Sequence, residues 1–251
     1  MSNGSLYTHI QNNIATIEFG HPASNSFPSE LLSRLATSFN ELSTNNDVHV
    51  IILKSEQEKA FCAGASFNEL ITISNFEEGK QFFLGFAHVI NAMRNCSKLI
   101  IGRVQGKAVG GGVGLAAACD YCLATVQASI KLSEFTIGIG PFVIEPVVKR
   151  KIGLAAFSEL TIDGTSWQNA YWAKEKGLYA KVFESINELD TETEFLASTL
   201  SNYNPEALKE MKTVLWKGTE HWDTLLEERA EISGKLVLSE FTKKALQKFK
   251  K

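Results

Sequence analysis

No apolar run in this chain approaches the ~18 residues needed to cross a bilayer, so no membrane span is expected. Basic residues form no long run before the C-terminal end and the formal net charge is −3, which removes the electrostatic basis for binding nucleic acid or an anionic membrane surface. The opening MSNGSLYTHIQNN has neither a basic start nor an apolar core, so no leader peptide is read there and a reducing cytoplasm is the expected setting. Cysteine is scarce, at four residues. Cys119 and Cys122 have CxxC spacing, but no second CxxC and no His pair accompanies them; two buried structural thiols are expected rather than a metal or redox site. The five histidines show no ligand spacing, and Ser66, Ser133 and Ser158 lie in no G-x-S-x-G context, so a serine triad is unsupported.

What the chain does have is ample apolar content, 44 % of 251 residues, and glycine concentrated in one place. That length and composition suit one main α/β domain with an appendage. Residues 7–19 alternate loosely around Asn12-Asn13, which predicts a hairpin with Ile14, Ile17 and Phe19 facing a core. Leu31, Leu32, Leu35, Phe39 and Leu42 keep a helical period, and residues 48–53 (VHVIIL) read as a strand covered on both faces. A short helix over 67–73 and a longer one over 76–95 follow, the latter with Phe82, Phe83, Phe86, Val89, Ile90 and Met93 inward, as core rather than as a ligand cage. Strands are expected at 121–125 and 129–132, and Glu145-Pro146 should open a helix that Gly153 stops. A helix over 167–176 and a strand over 178–183 complete the alternating part. From about residue 187 the pattern is helical only, over 189–200, 205–216 and 222–249. Leu225, Leu226, Ile232, Leu236 and Leu238 could serve an interface with another subunit or an intrachain core.

The densest glycine run is Gly106 to Gly114, where five of the 18 glycines follow an apolar strand and precede a small-residue helix. Such a strand, turn and helix leaves amide donors pointing at whatever sits at the helix start. Packing alone could also require it. A dinucleotide fold is one candidate, because Gly112-Val-Gly114-Leu-Ala-Ala117 satisfies G-x-G-x-x-A and Glu134 follows; against it, the motif does not open the first βαβ unit and the preceding strand carries Arg103, Gln105 and Lys107. The second candidate is an oxyanion hole. Two glycine-bearing turns, AFCAGAS and KAVGGGVG, each after a strand, can bring one N–H apiece to a common point and stabilise an enolate oxygen.

KAFCAGASFNEL, GKAVGGGVGLAAACDY and IKLSEFTIGIGP closely resemble, in order and spacing, the three central blocks of the crotonase (enoyl-CoA hydratase/isomerase) superfamily. The resemblance runs from about residue 14 to 182, with a weaker helical continuation, and is closest in appearance to hydratases of branched or carboxylated enoyl-CoAs such as methylglutaconyl-CoA. It implies a crotonase-like ββα spiral core over residues 1–185 and a helical C-terminal region over 186–251 used in oligomerisation, in a homotrimer or homohexamer. It also implies that the amides of Ala65 and Gly111 hold the thioester oxygen of an acyl-CoA, with Ala63, Gly64 and Gly110 along the coenzyme A moiety. No cofactor is implied, since coenzyme A belongs to the substrate, and no metal. Of the two glutamates that hydratases of this family use, Glu134 matches the second, while Gly114 stands where the first belongs. One carboxylate can shuttle a proton along an acyl chain but is poorly equipped to orient water. Glu145 is the candidate for a supplementary carboxylate, with a helix-capping role as its alternative. Glu69 is expected on the surface and Asp120 in a structural role. Lys243, Lys244, Lys248, Lys250 and Lys251 are expected to be solvated, with some able to meet coenzyme A phosphates. A rival reading is an acyl-CoA-binding protein that keeps the pocket without hydratase activity.

Overall fold

A computed structural model describes residues 3–248; Phe249, Lys250 and Lys251 lie outside the described residues. The chain begins with the expected hairpin, β1 (Ser5–Gln11) and β2 (Ile14–Gly20), antiparallel and joined by Asn12 and Asn13, both at positive φ. Asn is among the residues that tolerate this conformation, so the turn is encoded locally. Ala15, Ile17 and Phe19 point into the main core. Ile14, expected beside them, faces the other side of the sheet and packs with Val50, Ile52, Ile101 and Leu123, because side chains alternate along a strand.

Helix α1 (Ser29–Thr44) covers the first face, and from there the chain repeats one unit. Strand β3 (Val50–Ser55) enters the large sheet, β4 (Ala60–Cys62) leaves it for a small one, and α2 (Phe67–Leu70) and α3 (Phe76–Asn95) return. The next turn is β5 (Leu99–Val104), β6 (Lys107–Val109) and α4 (Gly111–Ala118). It is followed by β7 (Tyr121–Thr125), β8 (Ile130–Lys131), a 3₁₀ turn (Glu134–Ile137) and α5 (Glu145–Ile162). Then come α6 (Ala170–Glu175) and β9 (Lys181–Phe183). The large sheet has the order β1-β2-β3-β5-β7-β9 and the small one β4-β6-β8, so each unit advances by one strand in both sheets. This is the ββα spiral expected from the resemblance. Beyond β1 the pairings between these strands are parallel; Ile130 of β8 also forms an isolated antiparallel bridge with Gln168.

The helices α7 (Ile186–Ser201), α8 (Pro205–Leu215), α9 (Trp222–Leu236) and α10 (Glu240–Gln247) complete the chain. Leu189 and Ala197 of α7 cover the second face of the large sheet, which explains the unbroken apolar run in β3. The segment read as one helix from residue 222 breaks between α9 and α10 at residues 237–239, where Ser239 caps α10 by accepting from the Thr242 amide. Gly153 does not stop α5 as expected. It kinks the helix at φ 77° and ψ 164°, and helical structure resumes beyond it.

The four cysteines are free and buried. Cys119 and Cys122 donate to the Leu115 and Ala116 carbonyls at 3.4 and 3.1 Å, satisfying acceptors at the end of α4. Asp120 beside them accepts from the Ile100 amide, Lys212 Nζ and Trp216 Nε1, each at 2.7 Å, and so ties α8 to the sheet in the structural role expected of it. No helix among the described residues is long and apolar enough to cross a membrane.

Candidate active site

The small sheet assembles the site. Its strands run parallel, so the segments leaving the carboxyl ends of β4, β6 and β8 emerge side by side, and these are the three blocks singled out above. A methyl group on Gly64 would lie 3.0 Å from the Val109 oxygen and 3.4 Å from the Gly111 nitrogen, so the two glycine turns abut. Gly110 precedes α4 at φ 54°, ψ −119°, a conformation that favours glycine, and a Cβ there would stand 2.9 Å from Glu134 Oε1. The third block thus brings its carboxylate against the second.

The Ala65 and Gly111 amides at these turns have no hydrogen-bond acceptor among the described residues. Residues 64–66 pair with Phe27, whose N–H donates to the Gly64 oxygen at 2.8 Å while Ser66 N–H donates to the Phe27 oxygen at 2.9 Å. Strand alternation turns the Ala65 N–H to the opposite side. Gly111 is the first residue of α4, where no intrahelical acceptor exists. Ala63, by contrast, spends its amide on the Ser24 oxygen, at 3.1 Å.

Ala63, Gly64, Ala65, Gly110, Gly111 and Glu134 all line one cavity of about 250 Å³. Glu145 does not. Its carboxylate is paired with Lys149 and lies 3.7 Å from Arg229 on α9, while its neighbour Ile144 turns into the cavity. Glu69 is likewise outside; its Oε2 accepts from the Ser29 amide and hydroxyl at 2.9 and 2.6 Å and so holds the start of α1, a more specific task than the surface position expected. The Cys62 thiol, close behind the turn, is pushed up to about 12 by burial and is no nucleophile.

Among the described residues, Glu134 is the only ionisable side chain in the lining. The residue as a whole is half-buried, but Oε2 is enclosed and has no hydrogen-bond partner among the described residues. Desolvation raises its pKa from the ordinary 4.5 to about 7, the value suited to giving and taking a proton near neutrality. The rest of the wall is mostly apolar. Phe82, Phe83 and Phe86, read from the sequence as core, have one side in the core and the other in the cavity, and Ser233 of α9 also reaches it. Their spacing on α3 signalled a buried face. Only the tertiary fold shows that a cavity adjoins it.

Comparison with known proteins accords with this geometry. A family model described as enoyl-CoA hydratase/isomerase matches residues 9–251. The chain is 32 % identical over 194 residues to the peroxisomal Delta(3,5)-Delta(2,4)-dienoyl-CoA isomerase of Arabidopsis thaliana, covering 71 % of this chain and 68 % of that one. It is 31 % identical over 210 residues to the mitochondrial methylglutaconyl-CoA hydratase of Rattus norvegicus, covering 78 % of this chain and 63 % of the relative. The enoyl-CoA hydratase of Bacillus halodurans superposes with a TM-score of 0.90 over 97 % of this chain and 99 % of that one, and at 23 % identity this likeness concerns the fold. Since the family model extends over almost the whole sequence and takes in all three blocks around the cavity, the chain belongs to the enoyl-CoA hydratase/isomerase family.

Proposed function

We propose that the protein moves the double bond of an apolar acyl-CoA thioester through an enolate, with Glu134 as the proton carrier and the Ala65 and Gly111 amides as donors to the thioester oxygen. The observation that carries this reading is that, among the described residues, Glu134 is the sole ionisable group lining the cavity. With a 3-enoyl thioester, the Glu134 carboxylate takes a proton from Cα and the electron pair delocalises onto the thioester oxygen, held by the two N–H groups at roughly 3 Å. The carboxylic acid then returns that proton to Cγ, giving the 2-enoyl thioester and the starting carboxylate. One base suffices for both transfers.

Hydration asks for more. Water must be oriented toward Cβ while its proton is accepted and another is delivered to Cα, and the position that would supply a second carboxylate is Gly114. The acyl group follows from the lining, which contains no lysine or arginine among the described residues. A carboxylated chain such as methylglutaconyl would bury a second negative charge beside Glu134 with no cation to meet it. Cavity size points to short or medium chains, since about 250 Å³ lies just below the ~300–1,000 Å³ typical of drug-sized ligands.

The test is exchange of the α-protons of a saturated acyl-CoA with deuterated water, which reports enolate formation alone. Wild type should exchange, and Glu134→Gln should slow exchange by about 10²-fold or more with acyl-CoA affinity nearly unchanged. Binding without exchange would favour the non-catalytic acyl-CoA-binding reading.

A further inference from the structure

Gly114 lies three residues beyond Gly111 and four beyond Gly110 on α4, so all three share the helix face that looks toward the cavity. Gly110 and Gly111 line the cavity, yet Gly114 does not. What intervenes is Ile144. A Cβ on Gly114 would lie 2.5 Å from Ile144 Cγ2 and 3.0 Å from its Cβ, and Ile144, only 4 % exposed, is itself part of the wall. Ile144 is fixed in place as the residue preceding α5, its carbonyl accepting from the Val148 amide at 3.0 Å. The missing side chain at 114 and the bulky one at 144 are therefore a single packing solution.

We propose that Ile144, seated on Gly114, is the specificity-determining residue that keeps water from the reacting carbons and so holds the enzyme to proton transfer rather than hydration; this rests on the enolate reading above. A branched apolar side chain offers water no hydrogen bond, and the enclosed space it fills is where an attacking water would need support. Shortening it makes room. Water can then add its oxygen to Cβ of a 2-enoyl thioester while Glu134 accepts the proton released and delivers it to Cα, a net addition of one water. A carboxylate at 114 would hold that water, but only once Ile144 has been cut back, because Gly114→Glu alone drives Cβ into Ile144.

The experiment compares wild type, Ile144→Val, Ile144→Ala and Gly114→Glu/Ile144→Ala. Three rates are measured: α-proton exchange in a saturated acyl-CoA, isomerisation of a 3-enoyl-CoA, and hydration of a 2-enoyl-CoA. The expected result is a hydration-to-isomerisation ratio that rises about tenfold in Ile144→Ala, on the scale of one or two methylene-sized contacts, rises further in the double variant, and stays near wild type in Ile144→Val. Since Ile144→Ala removes atoms without adding any, it keeps the test open if the double variant fails to fold. A ratio that does not move in Ile144→Ala while α-exchange persists overturns the role of Ile144 and leaves the enolate reading standing. Absence of α-exchange in wild type overturns both.

Discussion

Glu134 sits where a carboxyl group is least comfortable, against a glycine turn and apolar walls with one oxygen lacking a partner among the described residues. A shift from 4.5 to about 7 at ~1.36 kcal/mol per unit means that ionising it in the folded chain costs on the order of 3 kcal/mol relative to water. The sign follows from proton occupancy. Below about pH 4.5 the group is protonated in both states and there is no penalty; between 4.5 and 7 the folded state holds the proton more tightly, so stability falls as pH rises; above about 7 the penalty is complete. Glu134→Gln should accordingly raise the thermal midpoint at pH 8 by several degrees and change it little at pH 4.5. α-Exchange by wild type should rise with pH through a midpoint near 7, because the carboxylate is the active form. An equal effect of Glu134→Gln on stability at both pH values would mean that the carboxyl is solvated. The two glycine turns were legible in the sequence because they have local signatures, while Glu134, Ala65 and Gly111 became candidates through the family resemblance of the blocks that hold them. Ile144, Phe82 and Phe83 were not legible as lining, since an apolar side chain on a cavity wall has the same sequence pattern as one in the core.

Two glycines show how differently elements can depend on the smallest residue. Gly153 has open space around a hypothetical Cβ, with nothing within 4 Å, so contacts alone would make Gly153→Ala harmless. Its φ of 77° and ψ of 164° fall in a region essentially reserved for glycine, and alanine there should cost on the order of 1–3 kcal/mol. Gly234, in contrast, has an ordinary backbone but lies where α9 meets α3: a Cβ would stand 2.7 Å from the Lys80 nitrogen and 3.0 Å from its Cα. Backbone atoms cannot swing aside, so overpacking of roughly 1–3 kcal/mol should outweigh the ~1 kcal/mol that alanine gains in helix propensity. Both substitutions should lower the urea midpoint; a rise with Gly153→Ala would show that the kink relaxes freely, and a rise with Gly234→Ala that the helices separate without loss. The sequence shows glycine at both positions but not the reason. It reads Gly153 as a helix stop, because a kink with helix on both sides requires the tertiary contacts of both halves.

At the scale of the molecule, an α/β layered fold was legible because strand and helix patterns alternate, whereas the spiral was an expectation of the family resemblance carried by the three blocks. The path of the C-terminal helices was less legible. Of the residues considered for a subunit interface, Leu226 is in the main core and Leu225 and Leu238 are partly buried within the chain, so the intrachain alternative describes them. Exposed apolar side chains lie elsewhere, among them Phe195 and Phe241 singly on α7 and α10 and, on α8, Met211, Val214 and Leu215 at 51, 62 and 46 % exposed, at a spacing that puts these three on one stripe. Burying such a stripe against other copies would remove large apolar groups from water at about 25 cal/mol per Å², a gain that recurs at every interface of a closed ring. We propose that the protein assembles as a trimer or a pair of trimers, and that α8 supplies part of the contact. Light scattering should give the mass of three or six chains, and Met211→Glu/Val214→Glu should reduce it. An unchanged mass in that variant would move the contact away from α8, whereas a stable 27.7 kDa species in the wild type at micromolar concentration would refute assembly itself.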